Sequence, residues 1–387
     1  QDLVEFRKAE FVFRLNPLFN LEYAAGQTTD SSYTINTRGI ELKGQVGRRI
    51  YFYSSFYENQ AYFPAYINNY AVGHKVVPGQ GVTKSFGVNY AGHDFAQASG
   101  YVGFRPAQHF WMELGHGKHF VGQGYRSLLW SDNASNYPYL RMAYRFRDFT
   151  YAWVLAEMQE FSGKYYSYHH EKHDSFFLLS WKPAPWFEIG AFQSVLYKTE
   201  QKQGRDIPVL WFMPLWGGAV AAYGLDGSHN AAVGLDASIR PFPRIVGYGQ
   251  FLLDALNNKS PDAFAAEYAW QAGVRVLNVL PAGWARMQLQ FMAEYNYVRP
   301  YTYGHRDVLQ AYRHLNQPLA HPVGSGLQEG VAGVQLRGRD FSLRLRYIDR
   351  LSSADTAVHW GSSIYMPDGK AALPGGSTPG QGLEAHT

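Results

Sequence analysis

Arg286-Met-Gln-Leu-Gln-Phe-Met-Ala-Glu-Tyr-Asn-Tyr297 decides the fold. Met287, Leu289, Phe291, Ala293, Tyr295 and Tyr297 are apolar or aromatic, whereas Arg286, Gln288, Gln290, Glu294 and Asn296 form most of the other set. In extended chain, successive side chains point to opposite faces. A period of two therefore gives a strand with one greasy face and one wet face. The same period recurs along the chain. Phe341, Leu343, Leu345 and Tyr347 alternate with Ser342, Arg344 and Arg346. Leu140, Met142, Tyr144 and Phe146 alternate with Arg141, Arg145 and Arg147. Phe110, Met112 and Leu114 oppose His109, Trp111 and Glu113; Phe187, Ile189 and Ala191 oppose Trp186 and Glu188. Near the start, Phe11, Phe13 and Leu15 oppose Glu10, Val12, Arg14 and Asn16.

A soluble β-sandwich alternates too. Three features favour a barrel in lipid. The apolar faces are rich in aromatics, with Tyr and Trp near strand ends, as in the girdles of membrane barrels. Many segments reach the ~9–11 residues that a tilted membrane strand needs. The connections are also unequal. Arg147-Asp148, Lys182-Pro-Ala-Pro185, Arg240-Pro-Phe-Pro243 and Arg337-Gly-Arg-Asp340 are tight, whereas 62–97, 198–228 and 298–325 are long. Short periplasmic turns and long outer loops are the pattern of outer-membrane barrels.

Composition agrees. Of 387 residues, 17% are aromatic and only 17% charged, against about 25% charged in ordinary soluble proteins. Mean hydropathy is −0.31, and no apolar run of about 18 residues marks a transmembrane helix. The 39 glycines suit turns and bulges, and the absence of Cys suits an envelope protein that needs no disulfide. Gln1 reads as a mature N-terminus after signal-peptide removal. The expected fold is all-β: a transmembrane antiparallel β-barrel of roughly 14–18 strands, with long outer loops partly plugging the lumen. It spans 1–367, followed by a Gly/Pro-rich tail or loop at 368–387. Candidate strands are 9–24, 37–46, 49–60, 98–105, 108–116, 138–147, 149–160, 168–182, 185–197, 229–240, 243–256, 264–277, 284–297, 328–338, 340–350 and 356–366.

Two segments have the composition of a binding site. Segment 115–140 carries Lys118, His119, Arg126, Trp130, Asp132, Asn133, Tyr137 and Tyr139 among glycines. Planar polar groups that bond hydroxyls, beside aromatic faces that cover sugar rings, suit carbohydrate. Lys and Arg suit acidic sugars. Equally, the segment reads as an inward-folded loop that satisfies its own polar groups. Segment 298–322 carries Arg299, Tyr301, Tyr303, His305, Asn316, Gln317 and His321; Pro300, Pro318 and Pro322 make it a shaped loop. The aromatic content of 198–228 points to a loop folded inside or held by a partner. Arg14, Arg141, Arg145, Arg147, Arg286, Arg344 and Arg346 form a basic lumen lining. They are either paired with Glu113, Glu188 and Glu294 or free to guide an acidic polymer.

His169-His-Glu-Lys-His173 is not a zinc-binding HExxH motif, and alternation splits its histidines between faces. No catalytic, cofactor or metal site is assigned. There is no nucleophile elbow, phosphate loop or nucleic-acid motif.

Gly115-His-Gly-Lys-His-Phe-Val-Gly-Gln-Gly-Tyr-Arg-Ser-Leu-Leu-Trp-Ser-Asp-Asn-Ala-Ser-Asn-Tyr-Pro-Tyr-Leu140 and Glu294-Tyr-Asn-Tyr-Val-Arg-Pro-Tyr-Thr-Tyr-Gly-His305, continuing to Asn316-Gln-Pro-Leu-Ala-His-Pro322, carry a specific likeness. With Gly234-Leu-Asp236 and Tyr248-Gly-Gln-Phe-Leu-Leu-Asp254 between them, they resemble the capsule assembly Wzi family of outer-membrane barrels. The likeness covers about residues 100–350 and leans to the Bacteroidota branch, which includes gliding-motility (RemB-like) proteins. It implies a barrel of roughly 18 strands that holds capsular or extracellular polysaccharide at the cell surface without enzymatic action, in an adhesion or motility setting. The expected partners are the bilayer with its lipopolysaccharide, the polysaccharide and other outer-membrane proteins. The competing readings are a porin-like channel for small solutes and a structural subunit of a larger outer-membrane complex.

Overall fold

The computed structural model describes residues 2–25, 33–88, 91–162, 168–198, 217, 229–254, 267–280, 287–305, 307–353, 364 and 383–386. Among them, eighteen strands form one antiparallel sheet. The chain begins with β1 (Val4–Lys8), β2 (Phe11–Ala24), β3 (Tyr33–Val46) and β4 (Ile50–Tyr62), then helix α1 (Ala65–His74). Next come β5 (Thr83–Phe86), β6 (Gly92–Ala107), β7 (Phe110–Gly117), β8 (Tyr137–Phe146), β9 (Phe149–Ser162) and β10 (Tyr168–Ala184). β11 (Phe187–Lys198), β12 (Asn230–Phe242), β13 (Ile245–Leu253), β14 (Tyr268–Val276) and β15 (Gln288–Val298) follow. A two-stranded hairpin, β16 (Arg313–His314) and β17 (Gln317–Pro318), stands apart from the sheet. β18 (Leu327–Arg337), β19 (Ser342–Ser353) and β20 (Leu383–His386) complete it.

The register joins the apolar faces read from the sequence. Phe104, Met112, Met142, Trp153, Phe177 and Gln193 lie in one row across six neighbouring strands. On the far side Val276, Phe291, Val334 and Leu345 lie in another. Val102, Leu114, Tyr144, Phe146, Leu343 and Leu345 on this face are exposed. An apolar, unpartnered surface of this extent belongs in lipid. Aromatic stacks mark both borders: Phe149 on Trp181 at one end of the strands (6.0 Å), and Trp270–Tyr297–Tyr268 at the other (5.9 and 6.0 Å). No helix of the described residues is long and apolar enough to cross a membrane.

The connections alternate as expected. Two-residue turns join β1 to β2, β6 to β7, β8 to β9, β10 to β11 and β12 to β13. The long connections 63–82, 118–136 and 299–326 leave from the other end, called here the upper end. By the usual rule, the upper end faces outward and the short turns face the periplasm.

Fifteen of the sixteen expected strands are present, and 356–366 lies outside the described residues apart from Ile364. Expected strand 9–24 is cut at its start. Ala9, at φ 49°, turns the chain so that β1 folds back on β2. Segment 62–97, expected as loop throughout, holds α1, β5 and the start of β6. Of 368–387, only 383–386 are described, and these pair with β19. Loop 198–228 lies outside the described residues apart from Lys198 and Gly217.

Candidate functional site

Loop 118–136 leaves β7 and returns to the adjacent β8, yet its bonds reach strands on another part of the wall. The Tyr125 and Arg126 amides donate to Glu294 on β15 (2.6 and 3.0 Å). The Leu128 amide donates to Gln250 on β13 (2.8 Å), whose own amide donates to Val121 O (2.8 Å). The Arg126 guanidinium forks onto Glu329 of β18 (2.8 and 3.1 Å). The strong bidentate geometry fixes both position and orientation. The sheet therefore curls around a loop that crosses its interior. At the crossing, Gly122 has φ 113°, and a Cβ there would run into Gln250 and Asp236. Only glycine fits.

Loop 299–326 docks onto this crossing from the upper end. Tyr303 and Tyr312 donate their hydroxyls to the carbonyls of Leu128 and Leu129 (2.8 Å each). The Ser131 amide donates to Leu319 O (2.7 Å). Hairpin β16–β17 turns through Leu315 and Asn316, both with positive φ, a two-residue turn of the type that suits tight hairpins. Leucine is a poor choice there, and tertiary bonds hold it: the Leu315 amide donates to Gln159 O (2.8 Å) and the Asn316 amide to Glu160 (2.9 Å). The fully buried Glu160 also accepts from Lys172 (3.1 Å) and Arg313 (2.8 Å). An aromatic core fills the rest, with Trp130 set 4.4 Å from Phe176 and edge-on to Tyr312 (5.5 Å). The two loops form a packed plug across the upper lumen.

Below the plug, the lumen opens into two cavities. One, of about 440 Å³, is lined by Arg275, Arg344, Arg346, Gln290 and Gln335 under Phe120 and Tyr125. The other, of about 610 Å³, is lined by Lys118, Arg141, Glu113, Tyr53 and Tyr101. Phe120 and Asp132 border both. Burial sets the charge of the ring of groups above. It pushes His119 down to about 3 and Lys118 down to about 8, and it pushes His314 down to about 4. These histidines are neutral at pH 7.

With the fold and the site in view, known proteins place the chain. The family model described as Capsule assembly protein Wzi matches residues 23–357. The chain belongs to the Wzi family. The solved Wzi of Escherichia coli, described as an outer membrane protein involved in group 1 capsule assembly and a carbohydrate-binding β-barrel, shares its fold at TM-score 0.52 and 18% identity. That match covers 88% of this chain and 71% of the other. OccK1 (OpdK) of Pseudomonas aeruginosa matches at TM-score 0.37 and 10% identity over 88% of this chain and 92% of its own. An anion-selective porin of Comamonas acidovorans matches at 0.34 and 11% over 87% and 99%. No curated protein matches the sequence significantly. Family, fold and lipid-facing belt together make the chain an all-β barrel of the bacterial outer membrane.

In this Wzi-family barrel the residues singled out from sequence separate into groups. Trp130, Tyr303 and Asn316 are buried in the plug, with the Trp130 indole N–H given to the Tyr137 hydroxyl (2.7 Å). Arg126 is committed to Glu329, and Asn133 donates to Pro318 O (3.3 Å). Arg299 stacks over Tyr268 (5.4 Å), and the His305 ring accepts the Asp307 amide (3.1 Å). Lys118, His119, Asp132 and Tyr139 face the second cavity. Of the basic lining, Arg141, Arg344 and Arg346 line the cavities, and Arg286 lies outside the described residues. Arg145 stacks over Trp111 (5.8 Å). Arg147 sits in the turn after β8 at φ 52°, over the Phe146 ring (5.3 Å). The expected acid partners also differ. Glu113 accepts the Tyr139 hydroxyl (2.6 Å), Glu294 holds loop amides, and Glu188 lies 3.7 Å from Lys182. Glu160, Lys172, Arg313, Glu329 and Gln250 carry the plug and were not singled out for it. On β10, Lys172 points inward to Glu160 (3.1 Å) and His173 stacks on Tyr197 (5.3 Å).

Proposed function

We propose that this barrel binds carbohydrate without enzymatic action and anchors capsular or extracellular polysaccharide at the cell surface. The transverse plug carries this reading. A conduit for solutes needs a continuous aqueous path, whereas here two loops fill the upper lumen with buried aromatics and buried ion pairs. Family membership and the carbohydrate binding of the E. coli relative agree with it. Lipid and lipopolysaccharide would cover the apolar belt. The two quoted plug segments carry the likeness to the gliding-motility branch, so the proposed setting includes adhesion or spreading on surfaces. The test is gene deletion scored for release of surface polysaccharide and for spreading, beside conductance of the purified barrel in planar bilayers. Polysaccharide release with near-silent bilayers is the expected result. Steady porin-like conductance with normal retention would instead make the protein a channel.

A further inference from the structure

The lower lumen has a chemistry that the plug does not need. Arg344 and Arg346 project from β19 as exposed side chains, and Arg275 projects from β14, on the same stretch of wall beyond β15 and β18. Among the described residues, no carboxylate lies within ion-pair distance of these three or of Arg141. Three guanidiniums around one cavity make a positive site that favours an anion. Two of them are also held in place. Arg346 lies 3.8 Å from the centre of the Tyr125 ring, and Arg275 lies over Tyr248 (5.2 Å) while bonding to the Gln123 carbonyl. Stacking fixes the guanidinium plane and leaves its edge for a bidentate carboxylate. Beside the arginines stand the neutral amides of Gln290 and Gln335 and the aromatic faces of Phe120 and Tyr125. Amides suit hydroxyls, and aromatic faces suit the apolar side of a sugar ring. A bare inorganic anion would use neither. The second cavity continues past Phe120 and Asp132 to Lys118 and Arg141, under the tyrosine rings of Tyr53 and Tyr101. Both cavities fall in the size range of ligand sites, about 300–1,000 Å³.

We propose that the lower lumen is a binding track for an acidic oligosaccharide, a short glycan bearing carboxylates, approached from the short-turn side. Plug residues Phe120, Tyr125 and Asp132 border the first cavity, whose arginines and glutamines lie toward the short-turn ends of β14, β15, β18 and β19, so the periplasmic side is the route of approach. This rests on the carbohydrate-binding reading above and adds to it the charge of the sugar and the face of the barrel.

The test uses the full-length barrel in detergent, with oligogalacturonate as the probe and calorimetry as the readout. A neutral malto-oligosaccharide of equal length and inorganic phosphate serve as comparisons. The expected result is binding of oligogalacturonate alone, weakening as salt rises. R344Q/R346Q should weaken it at least tenfold, while R339Q, in the exposed turn at the same end, leaves it unchanged. Heat-modifiable migration on gels confirms that each variant is folded. Because the chain has no Cys, Q335C gives a unique thiol. A maleimide polymer too large to cross the outer membrane should label it in opened cells and not in intact ones, and oligogalacturonate should protect it. The proposal is overturned if the wild type binds phosphate as well as oligogalacturonate, binds neither, or binds oligogalacturonate equally after R344Q/R346Q, or if Q335C is labelled in intact cells. Each of those results leaves surface anchoring standing if deletion of the gene still releases polysaccharide. Anchoring itself falls only if cells retain their polysaccharide without the protein.

Discussion

The upper and lower halves of the lumen are lined by the same strands and follow opposite rules. On β15, Glu294, Asn296 and Val298 are buried in the upper half, whereas Gln290 and Met292 face a cavity lower down. On β18, Leu327 and Glu329 are buried above, and Gln335 is open below. In the upper half three buried cations meet acids: Arg126 meets Glu329, and Lys172 and Arg313 meet Glu160. In the lower half Arg14 meets Asp2 (3.2 Å), but Arg275 and Arg346 lie on ring faces and Arg344 beside a cavity. Buried charges must be paired, because desolvation is otherwise too costly. Cations next to water and open space need no fixed partner and remain available for a ligand. The contrast separates a part of the lumen that holds shape from a part that can bind.

Substitution of Glu160 should break the upper half most severely. Glu160→Ala strands two buried cations and frees the Asn316 amide. Loss of one partner of a buried pair costs about 3–5 kcal/mol, so the plug should loosen. The checks are a lower thermal midpoint in detergent and a rise in bilayer conductance; an unchanged, silent barrel would show that Glu160 does not hold the plug.

Gly122→Ala attacks the crossing point. Its Cβ meets Gln250 and Asp236 at a backbone angle that alanine resists, and overpacking of this kind costs about 1–3 kcal/mol. Faster proteolysis within 118–136 would register the change.

Acid sharpens the comparison. His119 and His314 have folded-state values of about 3 and about 4, below the usual 6.5. The unfolded chain therefore binds more protons between those values and 6.5. Stability is full above about pH 6.5 and falls as pH drops toward 4, by about 1.4 kcal/mol per pH unit for each histidine. Conductance bursts or protease sensitivity should increase between pH 7 and 5, and H314Q should reduce that increase.

R344Q/R346Q should do least to the fold. Both side chains are exposed and have no acid partner among the described residues, so the thermal midpoint should correspond to a change within about 0.5 kcal/mol. A large loss of stability would mean that the lower half is structural after all.

The strand faces were legible because alternation is local. Each of the six patterned segments carries its inside and outside in its own residues, and the register merely lines up faces already specified. The plug segments were legible as glycine-rich polar stretches unable to continue as strands. Which of their polar groups face a cavity was not. Trp130 and Arg126 look like sugar-contacting residues in isolation and become plug residues only beside Tyr137 and Glu329. Arg147 continued an alternation that the turn ends. Helix α1 was missed because it is ten residues long with a single buried side chain, Ala71, so it prints no apolar stripe.

The sequence by itself determined an antiparallel membrane barrel, its lipid-facing side chains, its unequal ends and the two loops that enter it. Period two, turn chemistry and composition act over a few residues and need no partner to be read. Tertiary structure alone decided how the basic interior divides. Arg313 meets Glu160 across 153 positions, and Arg126 meets Glu329 across 203. Whether an arginine is buried and paired or open and free depends on which distant carboxylate the curled sheet carries to it.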